Sequence, residues 1–223
     1  MLIRPPRLIY NPNMLKPNEE NSLRFTMETV DIGFPLTLYR QKVTSYMLLY
    51  LHRSGSCSYE GNLFLQSLPE GVGLACFDFD GCGNRYDSEF ITLGHKECKD
   101  VDVAAKYLKS QGFRVAGWGR SMGGVSLLKS TEIEVMICDS AFSNLSELCK
   151  ESSEKEVPSF LCCCFHLLYP CLFSCIKCKV KEKAGLDVED LDIAAHLKKE
   201  SRRENYNKKI CFIHGENDKM VPP

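Results

Sequence analysis

Val115-Ala116-Gly117-Trp118-Gly119-Arg120-Ser121-Met122-Gly123-Gly124 joins two kinds of sequence. It starts as an apolar, β-prone run and passes into a turn of small residues with one serine at its centre. A helix-compatible run then begins at Val125-Ser126-Leu127-Leu128-Lys129. A turn this tight needs small residues two before and two after the serine, because Cβ atoms there would collide. The serine itself is expected in a strained backbone conformation, with its hydroxyl lifted above the sheet. Gly-x-Ser-x-Gly alone occurs by chance; strand, turn and helix in this order give it context.

The chain around it has 223 residues, enough for one sizeable domain. At 44% hydrophobic and 26% charged it reads as a globular chain. A net charge of −1 gives nucleic acid no electrostatic footprint, so no nucleic-acid partner is expected. The opening Met1-Leu2-Ile3-Arg4-Pro5-Pro6-Arg7 lacks the apolar core of a secretory signal, so a cytoplasmic location is expected. Thirteen cysteines, an odd number, then read as thiols in a reducing compartment.

Residues 1–22 are rich in Pro and Asn and read as an extended N-terminal arm. Residues 23–223 read as one α/β domain. Leu23–Ile32 and Phe34–Arg40, parted by Gly33, suggest a hairpin. Tyr46–His52 and Val72–Phe79 are apolar runs typical of strands buried on both faces. A helix is expected from the loop at Gly55–Glu60 to about Ser67. In the next helix, Val101, Ala104, Ala105 and Leu108 recur at helical spacing before a stop at Gly112. Strands are expected at Arg114–Trp118, Glu134–Asp139 and Lys208–His214, with a mostly helical cap over residues 141–206. Alternating strands and helices predict a mostly parallel sheet with helices on both faces.

Six segments in order resemble one known family. They are Ile3-Arg4-Pro5-Pro6-Arg7 with Tyr10; Leu49-Tyr50-Leu51-His52; Phe77-Asp78-Phe79-Asp80-Gly81-Cys82-Gly83; Leu93-Gly94-His95-Lys96-Glu97-Cys98-Lys99-Asp100; Gly117 to Gly124; and His214-Gly215-Glu216-Asn217-Asp218-Lys219-Met220-Val221-Pro222. Together they resemble the α/β-hydrolases, in their serine aminopeptidase-like or BEM46-like branch. The resemblance implies the α/β-hydrolase fold with a helical cap, no metal or organic cofactor, and acyl-transfer hydrolysis. The substrate would be a small molecule, a lipid or an acylated peptide.

By that resemblance Ser121 is the nucleophile, on an elbow between strand and helix, and Asp218 the acid that orients a histidine. Asp139, after the strand that follows the elbow helix, is the second candidate for the acid. The backbone N–H of Met122 is the first oxyanion donor. The second falls to the amide of Arg53 or Ser54. Relatives usually carry glycine directly after the histidine there, whereas this chain reads His52-Arg53-Ser54-Gly55. The base is expected after the acid, beyond one more helix and strand, about 25 residues past Asp218. None of His52, His95, His166, His196 or His214 stands there, so the sequence reads as stopping short of its base.

Pro158 to Lys183 (PSFLCCCFHLLYPCLFSCIKCKVKEK) admits three readings. It is a helical cap whose cysteines act as small hydrophobes. Alternatively it is a surface-lying helix making peripheral membrane contact, S-acylated at Cys162-Cys163-Cys164 beside Lys177, Lys179 and Lys181. The third reading is half a zinc knuckle at Cys175-x-x-Cys178. Glu97 and Asp100 read as acidic residues of a helix's first turn. Gly81-x-Gly83 lacks the third glycine and following helix of a dinucleotide site.

Overall fold

A computed structural model describes residues 3–156, 158, 162–218 and 220–221. Its centre is a seven-stranded sheet. Strands β1 (Thr26–Asp31) and β2 (Pro35–Arg40) form the hairpin, turning through Gly33 at φ 98°. Then come β3 (Tyr46–Leu51), β4 (Val72–Cys76), β5 (Arg114–Arg120), β6 (Val135–Asp139) and β7 (Lys209–Ile213). The spatial order is β1-β2-β4-β3-β5-β6-β7. The hairpin joins β4 antiparallel, and the five strands from β4 to β7 run parallel.

The helices are α1 (Glu19–Ser22), α2 (Tyr59–Asn62), α3 (Glu97–Ser110), α4 (Met122–Lys129), α5 (Leu145–Glu156), α6 (Cys162–Ala184) and α7 (Ile193–Glu200). In α3, Val101, Ala104, Ala105 and Leu108 are buried at the spacing the sequence shows, and Gly112 follows at φ 86°. The larger core lies on the sheet face that carries α3 and α4. It includes Leu49, Leu51, Phe77, Val101, Leu127 and Ile193. Tyr39, Tyr50, Leu65, Leu74 and Cys76 form a smaller core on the other face. Alternate residues of β3 and β4 therefore enter opposite cores, as a strand covered on both faces requires. Each such aliphatic or aromatic side chain contributes roughly 1.5–3 kcal/mol.

Four details differ from the sequence expectation. Residues 3–22 form a docked arm with helical turns at Pro12–Leu15 and α1: Ile3 and Leu15 are buried, and the Tyr39 hydroxyl donates to the Leu15 carbonyl at 2.6 Å. The helix expected to reach Ser67 is the four-residue α2 plus a 3₁₀ turn at Leu65–Ser67. Strand β4 stops at Cys76, because the chain bends there to bring Asp78 under the Ser58 amide, 2.7 Å away. Of the region 141–206, Leu186, Val188, Leu191 and Ile193 are buried in the main core, and α7 packs on α4. That part is a layer of the domain; α5 and α6 pack on it through Leu145, Val180 and Ala184.

Candidate active site

The parallel ladder β3–β5–β6–β7 ends on one rim, where Leu51, Arg120, Asp139 and Ile213 close their strands. Ser121 is the next residue of β5. It is half-buried and adopts φ 51°, ψ −115°, a region that side-chain-bearing residues avoid. Its N–H donates to the Asp139 carbonyl at 2.8 Å, and its own carbonyl accepts from Val125 N–H in the first turn of α4.

The glycines that flank it are there for contact. A Cβ on Gly119 would strike the carbonyl of Gly123. A Cβ on Gly123 would strike the Leu51 carbonyl and stand 2.9 Å from the His52 carbonyl. The head of α4 is therefore pressed against the end of β3, where the loop bearing Arg53 and Ser54 leaves the sheet. Met122 is the first residue of α4, so its N–H has no acceptor within the helix.

The 53–56 loop is a turn closed by Ser56 N–H on the Arg53 carbonyl at 3.2 Å, with Gly55 at φ 73°. Glycine at that third position is the one a type II turn requires. The freedom that relatives place directly after the histidine thus appears at Gly55. The Arg53 side chain points to Glu60, Nε–Oε1 3.3 Å, and Glu60 also accepts from the Tyr50 hydroxyl at 3.1 Å. His52 is fully buried. Its Nδ1 donates to the Arg53 carbonyl at 2.8 Å and its Nε2 accepts from Phe79 N–H at 3.1 Å. Burial first of all lowers its pKa, and both ring nitrogens are occupied, so it is a neutral brace beneath the loop.

Asp218 follows β7. Its Oδ1 accepts from Met220 N–H at 2.9 Å and Val221 N–H at 3.0 Å, while Oδ2 lies 3.8 Å from His214 Nε2. The Val221 amide is the main reason its pKa falls below the usual carboxylate range. The Met220 amide and the Ser140 hydroxyl add to this. Ser140 stands directly after β6 at φ 50°, and its hydroxyl also donates to Asp139 Oδ1 at 3.1 Å. That hydroxyl therefore donates to one candidate acid while helping to lower the pKa of the other. No sequence motif marked Ser140; the signal is its position, one residue past the strand beside the elbow. Asp139 is further engaged by Arg120, Nε–Oδ2 3.8 Å.

No side chain among the described residues hydrogen-bonds the Ser121 hydroxyl, and the five histidines are directed elsewhere. His95 faces Asp190 across 3.9 Å, His166 faces Glu154 across 3.2 Å, and His214 Nε2 meets the Val221 carbonyl at 2.6 Å. His196 lies on α7, which packs on α4, and burial lowers its pKa. Glu97 is structural: its carboxylate accepts from Thr92 N–H, the Thr92 hydroxyl and Gly94 N–H within 2.9 Å, while Asp100 pairs with Arg85. Among the described residues no cluster of His, Cys, Asp or Glu is arranged for a metal, so Cys175 and Cys178 complete no knuckle there. The side chains of Cys162, Cys163 and Cys164 lie outside the described residues.

Neither a family model nor a curated protein sequence matches the chain. Solved structures do. An esterase from Pyrococcus furiosus superposes with a TM-score of 0.61 at 20% identity, over 99% of this chain and 79% of its own. A puromycin-hydrolyzing peptidase from Mycobacterium tuberculosis gives 0.54 at 15% identity, over 93% of this chain and 33% of its own. An acylaminoacyl peptidase from Pyrococcus horikoshii gives 0.50 at 14%, over 92% and 35%. With the strand order and the turn at Ser121, these likenesses define the architecture: the chain has the α/β-hydrolase fold.

Proposed function

We propose that the chain is a serine hydrolase of the serine aminopeptidase-like kind, acting on an ester, thioester or amide through an acyl-enzyme on Ser121. The observation that carries this is the strained backbone of Ser121 between the open N–H of Met122 and the loop of Arg53 and Ser54. In the proposed step the Ser121 oxygen attacks the acyl carbon as its proton passes to a base. The carbonyl oxygen becomes an oxyanion facing Met122 N–H and the amide of Arg53 or Ser54, and the leaving group departs protonated. Water then repeats the sequence on the acyl-enzyme. Asp218, with Oδ2 clear of the amides that hold Oδ1, is suited to orient an imidazole.

Among the described residues no histidine supplies that imidazole at Ser121. Loss of a triad histidine costs about 10⁴–10⁶ in turnover. The chain is therefore expected to react with a fluorophosphonate probe very slowly, and faster when free imidazole is added, with no labelling in Ser121→Ala. A second reading, a non-catalytic scaffold that binds a lipid or protein partner, is favoured by the other engagements of the five histidines. It predicts no Ser121 labelling with or without imidazole. Rapid stoichiometric labelling in buffer alone would contradict both readings. Turnover of p-nitrophenyl esters of graded chain length and of an aminoacyl amide, measured with imidazole present, sorts the substrate classes.

A further inference from the structure

Helix α6 is apolar on two faces. Its inner face runs through Phe165, Tyr169, Phe173, Val180 and Ala184. Tyr169 and Phe173 stack at 5.3 Å, Val180 and Ala184 are buried, and Lys96 Nζ holds the Ala184 carbonyl at 2.7 Å. The outer face carries Leu167, Leu168, Leu172 and Ile176 with Cys171 and Cys175 between them, all exposed; Leu167 is 79% and Leu168 62% accessible. At about 100° per residue, these six fall within one half of the helix circumference. A helix on the surface of a domain ordinarily turns a polar arc outward.

The same arc ends in charge. Lys177 and Lys181 point aside and pair with Glu189 and Asp187, each at 2.9 Å. Lys179 and Lys183 continue the aliphatic arc, are exposed, and have no ion-pair partner among the described residues; Glu182 is the acidic residue between them in the sequence. Favourable interaction with the carbonyl end of the helix accounts for basic residues in this turn. It does not account for an apolar arc leading into them.

We propose that this outer face of α6 lies on an anionic lipid surface. The four aliphatic side chains enter the boundary between headgroups and acyl chains, and Lys179 and Lys183 meet lipid phosphates. Exposed aliphatic side chains give the acyl boundary something to bury, and each lysine near the surface is attracted to anionic lipid. The helix does not cross the bilayer, since no helix among the described residues is long and apolar enough to do so. A second copy of the chain fits the face less well, because its matching arc would offer the two lysines leucine and cysteine, with only Glu182 as counter-charge. The proposal is independent of any chemistry at Ser121.

The test is co-sedimentation of the whole chain with phosphatidylcholine vesicles, with and without phosphatidylserine. Binding is expected to the phosphatidylserine vesicles and to weaken as salt is raised. Leu168→Ser with Leu172→Ser lowers the partition coefficient by roughly tenfold or more. Lys179→Gln with Lys183→Gln lowers it roughly tenfold on anionic vesicles only. Circular dichroism checks that each pair folds, and the lysine pair, at exposed positions, serves if the leucine pair does not. Absence of binding to anionic vesicles, or binding that neither pair weakens, overturns the proposal. So does a dimer in sedimentation velocity that the leucine pair dissolves while vesicle binding stays absent.

Discussion

At Ser121 the backbone stands at φ 51°, ψ −115°. Strain of this kind costs of the order of 1–3 kcal/mol, and glycine escapes it. Ser121→Gly is therefore expected to stabilise the chain by about 1 kcal/mol in urea unfolding while removing the hydroxyl. His52 makes a second residue-scale prediction. Burial lowers its pKa, so the folded state keeps it neutral while the unfolded chain takes up a proton below about pH 6.5. The unfolded state binds more protons in that window, so stability is full above it and falls as pH falls. His52→Leu is expected to flatten the slope of melting temperature between about pH 7 and 5, a window that contains the imidazole value, relative to the parent, whatever it does to the absolute stability. Asp218 follows the carboxylate case: its lowered pKa contributes stability above about pH 4 that is lost on further acidification, and Asp218→Asn should remove that component.

Among the elements, α4 shows packing overriding propensity. Two glycines in its first turn are poor helix formers. They stand there because a Cβ on Gly123 has nowhere to go but the Leu51 carbonyl. Gly123→Ala is expected to destabilise the chain by about 2–4 kcal/mol in urea unfolding, despite alanine's better propensity. Strand and helix periods made β3, β5, α3 and the elbow legible in the sequence, since each is a continuous apolar run or a clean 3.6-residue stripe. The docking of the N-terminal arm was not legible. It depends on Ile3 and Leu15 finding pockets made by residues distant in sequence. Nor was the core role of Leu186 to Ile193, which reads as cap until α7 is seen on α4. At the site, Ser121 and its glycines stand out in sequence because local sterics dictate them. The Ser140 hydroxyl and the His52 brace depend on strand order and on the turn at Gly55, which no local pattern encodes.

Taken whole, the molecule sorts its thiols by depth. Burial pushes Cys57 up to about 11 and Cys82 and Cys138 up to about 12, while Cys171, Cys175, Cys178 and Cys211 are exposed. Brief iodoacetamide treatment at neutral pH, followed by peptide mass spectrometry, is expected to label the exposed four and leave the buried three unmodified until denaturant is added. Among the described residues the sheet ends on β7, which carries exposed Phe212 and Ile213 on its two faces. An apolar edge strand is a template for pairing with another chain. Concentration-dependent self-association in sedimentation velocity, reduced by Phe212→Lys, is the expected sign of it.

The hydrogen bond from Ser121 N–H to the Asp139 carbonyl makes the serine's amide one more rung of the β5–β6 ladder. That amide should exchange its proton with deuterium on the schedule of the central sheet, through large-scale opening, and not with the fast loops around it. The turn that looks most precarious would then be among the last places to open. Any give the rim needs to admit a ligand falls to the 53–55 turn and to the chain leaving β6 at Ser140.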